Sequence, residues 1–248
     1  MTIKAWLGNW ITRRHWRKFG EQNPYWAIIT APEYQLDRVE IASFYATGLH
    51  DVADHLGWAR SHHVVPEGPV LDFGCGVGRL TLALGKHFPR VTGVDAAPAM
   101  IALADRAKAG ISGIDFVLNE RADLQVFPSA QFGFVYSHLV LQHLPPATSL
   151  NFLGELVRVC RPGGYLLVQW PSEDRRVRPA SLGRRLRRVV VRAIRRWMGS
   201  RPLMDIYPVP VEQVEEALSA AGAQLVARRE DMSAGPEHPG WIYLARRN

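Results

Sequence analysis

Three glycines and one aspartate have the types and the spacing that nucleoside binding needs. Gly74, Gly76 and Gly78 stand at alternate positions directly after the largely apolar run 70–73, and Asp95 ends the next apolar run. Glycine lets the backbone approach a ligand without a clash at Cβ. A carboxylate at the tip of a second strand can accept hydrogen bonds from both hydroxyl groups of a ribose. These residues therefore predict a binding site for a nucleoside.

A strand, a glycine-rich turn, a helix and a second strand must position these residues. Residues 70–73 are few enough for a buried parallel strand, and residues 80–84 carry a helical pattern of apolar side chains. A dinucleotide fingerprint requires Gly-x-Gly-x-x-Gly, and this turn fails it because Arg79 follows the third glycine. Asp72 would repel a pyrophosphate, whereas it suits a ligand with a positive end, such as the ammonium group of a methionine moiety.

This unit resembles motif I of the class I S-adenosylmethionine-dependent methyltransferases. The chain downstream has an order similar to motifs II and III of that superfamily: an apolar strand at 132–137, a helix at 148–160, Arg-Pro-Gly-Gly at 161–164 and a strand at 165–170. The resemblance covers roughly residues 68–171, and more loosely a pair of strands near 223–230 and 240–246.

The resemblance implies an α/β fold: a Rossmann-like, seven-stranded, mostly parallel sheet with helices on both faces and a reversed last strand. It implies S-adenosylmethionine as cofactor, with Asp95 binding the ribose and Asn119 or Glu120 meeting the adenine edge, while Asp123 is a nearby competitor. The residues predicted to bind the cofactor are Asp72, Gly74, Cys75, Gly76, Gly78, Arg79, Asp95, Ala96, Asn119, Glu120, Ser137, Trp26 and Tyr45.

The chain is predicted to have one core domain with two additions. Residues 1–63 are expected to form a basic and aromatic helical extension, and residues 64–248 the methyltransferase-like domain with a basic helical insertion at 172–210. The aromatic side chains of Trp26 and Tyr45 could belong to a lid that covers the cofactor and excludes water. Ordinary helix packing against the edge of the sheet explains them equally well.

Two histidines follow the strand at 132–137. A neutral imidazole at His138 or His143 could act as a general base on a hydroxyl group, or could merely bond to a backbone carbonyl. The other seven histidines form no constellation with ligand spacing, so we expect no metal site.

The positive charge lies outside the predicted core. Residues 1–20 carry +5 and residues 175–201 carry +11, which leaves −9 for the rest of a chain whose formal net charge is +7. A nucleic-acid enzyme would line its groove with positive charge, so nucleic acid is an unlikely partner. Residues 181–199 place apolar side chains on one helical face and arginines on the other. Together with residues 1–20 they suit an anionic membrane surface, although a solvated cap is the alternative.

The expected compartment follows from three further features. Two cysteines do not make a secreted disulfide framework, and no apolar run reaches the ~20 residues of a membrane span. The N-terminus lacks the apolar core of a signal peptide. We therefore expect the chain in the cytoplasm, with the basic segments at the inner face of the membrane.

The expected reaction is transfer of a methyl group to an oxygen, or less favourably a nitrogen, of a small molecule or a lipid-linked glycan. An RNA or protein methyltransferase is a rival, but the Asn/Asp-Pro-Pro-aromatic motif of base-methylating enzymes is replaced here by Ser-His-Leu-Val at 137–140. A cofactor-binding protein of the same fold that does not methylate, and a non-enzymatic membrane or partner module, stay open as well.

Overall fold

The computed structural model describes residues 3–35, 39–176, 202 and 204–248. The predicted basic helix at 181–199 lies outside the described residues. Among the residues described, no helix is long and apolar enough to cross a membrane.

Seven strands form one sheet between two layers of helices. The strands are β1 (Val70–Phe73), β2 (Val91–Asp95), β3 (Ile114–Leu118), β4 (Phe132–Ser137), β5 (Cys160–Pro171), β6 (Ala223–Asp231) and β7 (Gly240–Arg247). The helices are α1 (Ile3–Gln22), α2 (Pro24–Ile28), α3 (Ile41–Ser61), α4 (Arg79–Leu84), α5 (Pro98–Ala107), α6 (Pro146–Val159) and α7 (Val211–Ala220), with 3₁₀ turns at Pro32–Tyr34 and Leu141–His143.

The sheet has the order β3-β2-β1-β4-β5-β7-β6. Strands β1 to β5 are parallel to one another, whereas β7 runs antiparallel to both β5 and β6. The predicted Rossmann-like sheet with a reversed last strand is confirmed.

Successive side chains of the central strands enter opposite cores, which is why these strands are apolar on both faces. Val70 and Phe134 join the core beneath α3 and α4, whereas Leu71 and Val135 join the core beneath α6. All four side chains are fully buried. This packing fixes the register of β1 against β4 and therefore the position of the loops that leave them.

The Arg-Pro-Gly-Gly segment differs from its prediction. The sequence predicts a helix to residue 160 and a strand only from residue 165, but α6 ends at Val159 and β5 already begins at Cys160. The pairing shifts between Phe132 and Phe134 of β4, and Gly163 has φ +75°. The segment is therefore an irregular first part of β5, because the backbone groups on both sides of it pair with β4.

The strand order reverses between β1 and β4, and ligands of open α/β sheets bind at such a switch point. The carboxyl ends of β1, β2 and β4 meet there. Helix α1 packs against α5 and α6 and so reaches the same edge. The fold thus brings the N-terminal helices over the predicted cofactor site.

Candidate functional site

A cavity of about 1150 Å³, including the solvent at its mouth, opens at the carboxyl ends of β1, β2 and β4. Nine residues predicted from the sequence line it: Gly74, Cys75, Gly76, Arg79, Asp95, Ala96, Asn119, His138 and His143.

The glycine-rich turn after β1 leaves no room for side chains. Gly74 has φ +77°, and a Cβ there would lie 2.3 Å from Cγ1 of Val140. At Gly76 the φ is +54°, and a Cβ would lie 2.7 Å from Cδ1 of Ile28. The left-handed backbone and the close neighbours both require glycine. The turn therefore presents bare backbone to the cavity.

Asp95, at the tip of β2, is held in a fixed orientation. Its Oδ2 accepts from the Gly76 N–H at 3.0 Å, and its Oδ1 accepts from the Ala97 N–H at 2.8 Å. Burial raises the pKa of Asp95, and these backbone donors act in the opposite direction because they favour the ionised form. The carboxylate keeps lone pairs for a ligand in the cavity.

Asp72 lies beneath the turn and does not line the cavity. Its Oδ2 accepts from the Thr81 hydroxyl at 2.6 Å, and its side chain is 1% exposed. Burial raises the pKa of Asp72 to about 6, against the opposing effects of Thr81 and Arg79. Its predicted contact with a positive ligand group stays a prediction.

Arg79 begins α4 and lines the cavity while being 3% exposed. Its Nη1 forms an ion pair with Asp51 at 2.6 Å and donates to Thr47 Oγ1 at 3.0 Å. Its Nε has no partner among the described residues. Asp51 of α3 therefore supplies the counter-charge that allows the Arg79 guanidinium to be buried here.

The two adenine candidates lie in different surroundings. Asn119 lines the cavity, and its amide donates to the Asp123 carbonyl at 2.7 Å and accepts from the Arg121 N–H at 3.2 Å. The Glu120 carboxylate instead pairs with Arg17 at 3.5 Å, where both side chains are half exposed. Of the two, only Asn119 adjoins the cavity.

Four other predicted residues are not among those that line the cavity. The Tyr45 hydroxyl donates to the Val77 carbonyl at 2.9 Å, and the Ser137 hydroxyl to the Phe73 carbonyl at 3.3 Å. These two side chains brace the glycine turn from outside. Gly78 takes φ +85° at the start of α4, and Trp26 packs near Phe19 with ring centroids 6.3 Å apart.

The N-terminal helices cover the cavity with residues that the sequence did not single out. Trp16 packs edge-to-face on His143, with ring centroids 4.9 Å apart, and Arg13 donates to the Glu120 carbonyl. The spacing of Thr12 and Trp16, one helical turn apart, could have suggested a shared face. The lining residues from this region are Thr12, Arg13, Trp16, Ala27 and Ile28.

The two histidines differ in what they contact. His143 Nδ1 donates to the Asp205 carbonyl at 2.8 Å, and its Nε2 lies 3.1 Å from the Gln142 amide nitrogen, so both ring nitrogens are engaged. Neither ring nitrogen of His138 has a partner among the described residues. Burial lowers the pKa of His143 to about 4 and that of His138 to about 3, so both rings are neutral at physiological pH.

Across the part of the chain that the structure describes, no group of three His, Cys, Asp or Glu side chains could hold a metal ion. The two cysteines, Cys75 and Cys160, are buried and not bonded to each other. The polar groups that line the cavity include the Asp95 carboxylate, the Asn119 amide, guanidinium groups and the two imidazoles.

Residues 71–168 match the family described as "Methyltransferase domain". Trans-aconitate 2-methyltransferase of Deinococcus radiodurans is 39% identical over 114 residues, which are 44% of this chain and 41% of that protein. The 2-methyl-6-phytyl-1,4-hydroquinone methyltransferase of Synechocystis sp. is 28% identical over 166 residues, 66% of this chain and 51% of that protein. The matches thus span about half, or less, of these relatives.

The fold is also similar to solved structures. Magnesium protoporphyrin IX methyltransferase from Synechocystis PCC 6803, with bound SAH, superposes with a TM-score of 0.65 and 18% identity. The superposition covers 97% of this chain and 100% of that one. At this identity the likeness is one of fold.

Proposed function

We propose that the chain is a class I S-adenosylmethionine-dependent methyltransferase that transfers a methyl group from S-adenosylmethionine to a small molecule; the match of residues 71–168 to a methyltransferase domain and the similarity to a methyltransferase of trans-aconitate support this. The observation that carries this proposal is the pairing of a glycine turn with Asp95 at one cavity. Gly74 and Gly76 leave backbone where a Cβ would clash, and the Asp95 carboxylate faces the same space.

The described residues fit the proposed cofactor. Asp95 has the carboxylate that ribose hydroxyls require, and Asn119 and Ala96 adjoin it along the cavity wall. The bare backbone of Gly74 and Gly76 allows a ligand to approach closely. When bound, the cofactor supplies a methyl group activated by a positively charged sulfur. The protein's part is to align the acceptor and to exclude water.

We propose an oxygen acceptor rather than nitrogen, in a small molecule or a lipid-linked glycan. The wall of the cavity beyond the predicted cofactor residues is mostly apolar, which favours an acceptor with a large apolar part. The named relatives are methyltransferases of trans-aconitate and of a phytyl hydroquinone, which supports a small acceptor. The apolar lining side chains beyond the predicted cofactor residues are Trp16, Ala27, Ile28, Phe73, Leu80, Val94, Met100, Ala122, Leu139, Val140, Leu144 and Phe152.

An RNA acceptor has less support. The arginines at the cavity are engaged within the protein: Arg79 with Asp51, Arg121 with Asp123 and Arg13 with the Glu120 carbonyl. Phosphate binding needs cations that can turn toward the backbone of a nucleic acid. A protein acceptor and a reaction other than methyl transfer remain rivals, which an activity assay separates.

We further propose docking on an anionic membrane surface through residues 1–20 and 181–199. Support for the second segment is the sequence pattern alone, as it lies outside the described residues. In the first segment Trp16 packs on His143, and Arg17 pairs with Glu120. These contacts turn Trp16 toward the cavity instead of a lipid headgroup, so the proposal depends mainly on residues 181–199.

Calorimetry and a transfer assay test the central proposal. We expect one S-adenosylhomocysteine per chain, bound more tightly than NAD, and label from methyl-labelled S-adenosylmethionine in a small-molecule acceptor. Tighter binding of NAD would contradict the proposed cofactor. Cofactor binding with label found only in RNA or protein would contradict the proposed acceptor class.

A further inference from the structure

His138 is the cavity-lining side chain whose polar atoms, among the residues described, all lack hydrogen-bond partners. It is 5% exposed, so bulk water does not solvate its ring. A neutral imidazole has one N–H donor and one acceptor lone pair, and leaving either unpaired in a buried place costs free energy. A ligand group that forms a hydrogen bond with this ring would therefore pair a buried polar atom that the described residues leave without a partner.

The surroundings of His138 fix the direction of its ring. His55 packs edge-to-face on it with ring centroids 4.8 Å apart. The Nδ1 of His55 lies 2.5 Å from the hydroxyl of Tyr136, which is the next-to-last residue of β4. A ring held by an anchored neighbour loses little freedom when a ligand binds.

The backbone after His138 is held in an unusual conformation. Leu139 has φ +62°, a left-handed value that non-glycine residues rarely adopt. Its N–H donates to Gln169 Oε1 at 3.2 Å, and Gln169 Nε2 donates to Asp231 at 2.9 Å. Buried contacts from β5 and β6 thus maintain the bend that brings both His138 and Leu139 to the cavity.

Leu139 and Val140, the lining residues that follow His138 in the chain, are apolar, and among the polar lining groups the Asp95 carboxylate is assigned to the ribose. His143 bonds to the Asp205 carbonyl, and Arg121 to Asp123. Arg79 has one unpaired nitrogen, Nε, but that atom is only a donor. An incoming hydroxyl group that needs an acceptor therefore finds one at His138.

We infer that His138 accepts a hydrogen bond from the hydroxyl group of an otherwise apolar acceptor molecule and so selects hydroxyl-bearing acceptors. The inference rests on the proposed function, which it deepens by naming the substrate class and the residue that recognises it. Of the two histidines predicted from the sequence, His138 is the one that would accept this hydrogen bond, since the ring nitrogens of His143 are already engaged by Asp205 and Gln142. His55 and Gln169 are positioning residues.

The test compares two small probes on protein saturated with S-adenosylhomocysteine. 4-Methylphenol can donate a hydrogen bond, and 4-methylanisole has the same ring but no hydroxyl proton. Ligand-observed NMR gives the dissociation constant of each. We expect wild-type protein to prefer the phenol by about five-fold, as one buried hydrogen bond provides.

Variants locate the source of that preference. His138→Phe should bring the ratio close to one, and His138→Gln should restore part of it through the amide oxygen. His87→Gln, at an exposed histidine on the turn after α4, is the matched control and should keep the wild-type ratio. Thermal unfolding checks that each variant is folded.

Each result decides a separate question. Wild-type protein that binds no S-adenosylhomocysteine would overturn the proposed function and this inference with it. Cofactor binding combined with no phenol preference in wild type, or with no phenol binding at all, overturns the inference alone. A preference that survives in His138→Phe, or cofactor affinity that falls more than about ten-fold in that variant, would assign the ring another role.

Discussion

The backbone N–H of Gly76 donates to the carboxylate of Asp95 over 3.0 Å, and this bond joins the turn after β1 to the tip of β2. Two segments that are 19 residues apart in sequence thus form one wall of the cavity. The carboxylate both shapes the turn and faces the space proposed for the ribose. A substitution at Asp95 should therefore affect ligand binding more than folding.

We predict that Asp95→Ala weakens S-adenosylhomocysteine binding at least ten-fold. The loss removes hydrogen bonds to a charged group, each of which contributes about 1.5–3 kcal/mol. Calorimetry measures the affinity, and circular dichroism checks the fold. Asp115→Ala, at an 82% exposed aspartate on β3, is the matched control and should bind as wild type does. An unchanged dissociation constant in Asp95→Ala would exclude Asp95 as the ribose ligand.

We predict that Asp72→Asn stabilises the ligand-free protein near neutral pH. Burial raises the pKa of Asp72 from 3.8 to about 6, so the folded state disfavours the ionised carboxylate. The free-energy cost of ionising Asp72 in the folded state is therefore fully present above pH about 6. It disappears as the pH falls toward 3.8, the pKa of the unfolded state. Asparagine keeps an oxygen for the Thr81 hydroxyl. The gain at pH about 7.5 should be on the order of 1–3 kcal/mol.

Denaturant unfolding at a series of pH values measures the stability effect of Asp72→Asn. The advantage over wild type should shrink steadily as the pH falls from about 7 to about 4. A pH-independent difference in stability, or a loss of stability at neutral pH, would contradict the prediction that the ionised Asp72 carboxylate destabilises the folded state. The same variant reports on ligand binding: if Asp72 contacts a positive ligand group, its affinity for S-adenosylhomocysteine falls while its stability rises.

We predict that Trp16→Ala speeds the release of S-adenosylhomocysteine several-fold, whereas Glu120→Gln has little effect. Trp16 covers the cavity against His143, and its removal opens the mouth to water. The Arg17–Glu120 pair is half exposed, and such pairs contribute about 0–1 kcal/mol. Stopped-flow displacement gives both dissociation rates. Slower or unchanged release in Trp16→Ala would argue against a covering role for α1, and a large effect of Glu120→Gln would restore Glu120 as an adenine contact.

We predict that the 248-residue chain sediments with anionic liposomes at low salt. Near an anionic surface each cation contributes about 1 kcal/mol, and salt screens the attraction. Binding should rise with the fraction of anionic lipid and weaken when Arg184, Arg185, Arg187 and Arg188 are replaced by glutamine. Protein that stays in the supernatant with highly anionic vesicles would rule out membrane docking.

The sequence by itself determined the central unit and the sheet. Short apolar runs, helical patterns, the glycine turn and the acid that ends β2 are local signals, so each can be read within a few residues. Asp95 and the turn at Gly74 and Gly76 therefore adjoin the cavity that the sequence predicted for them. The reversed last strand came from the resemblance of the whole order of elements rather than from any one segment.

The tertiary structure decided which side chains face the cavity. Glu120 turns to Arg17 while its neighbour Asn119 faces inward, and Trp16 rather than Trp26 lines the cavity. His143 is engaged by Asp205, 62 residues away, whereas neither ring nitrogen of His138 has a hydrogen-bond partner in the described part of the chain. Such contacts join residues far apart in sequence, and local periodicity contains no information about which distant group a side chain will meet.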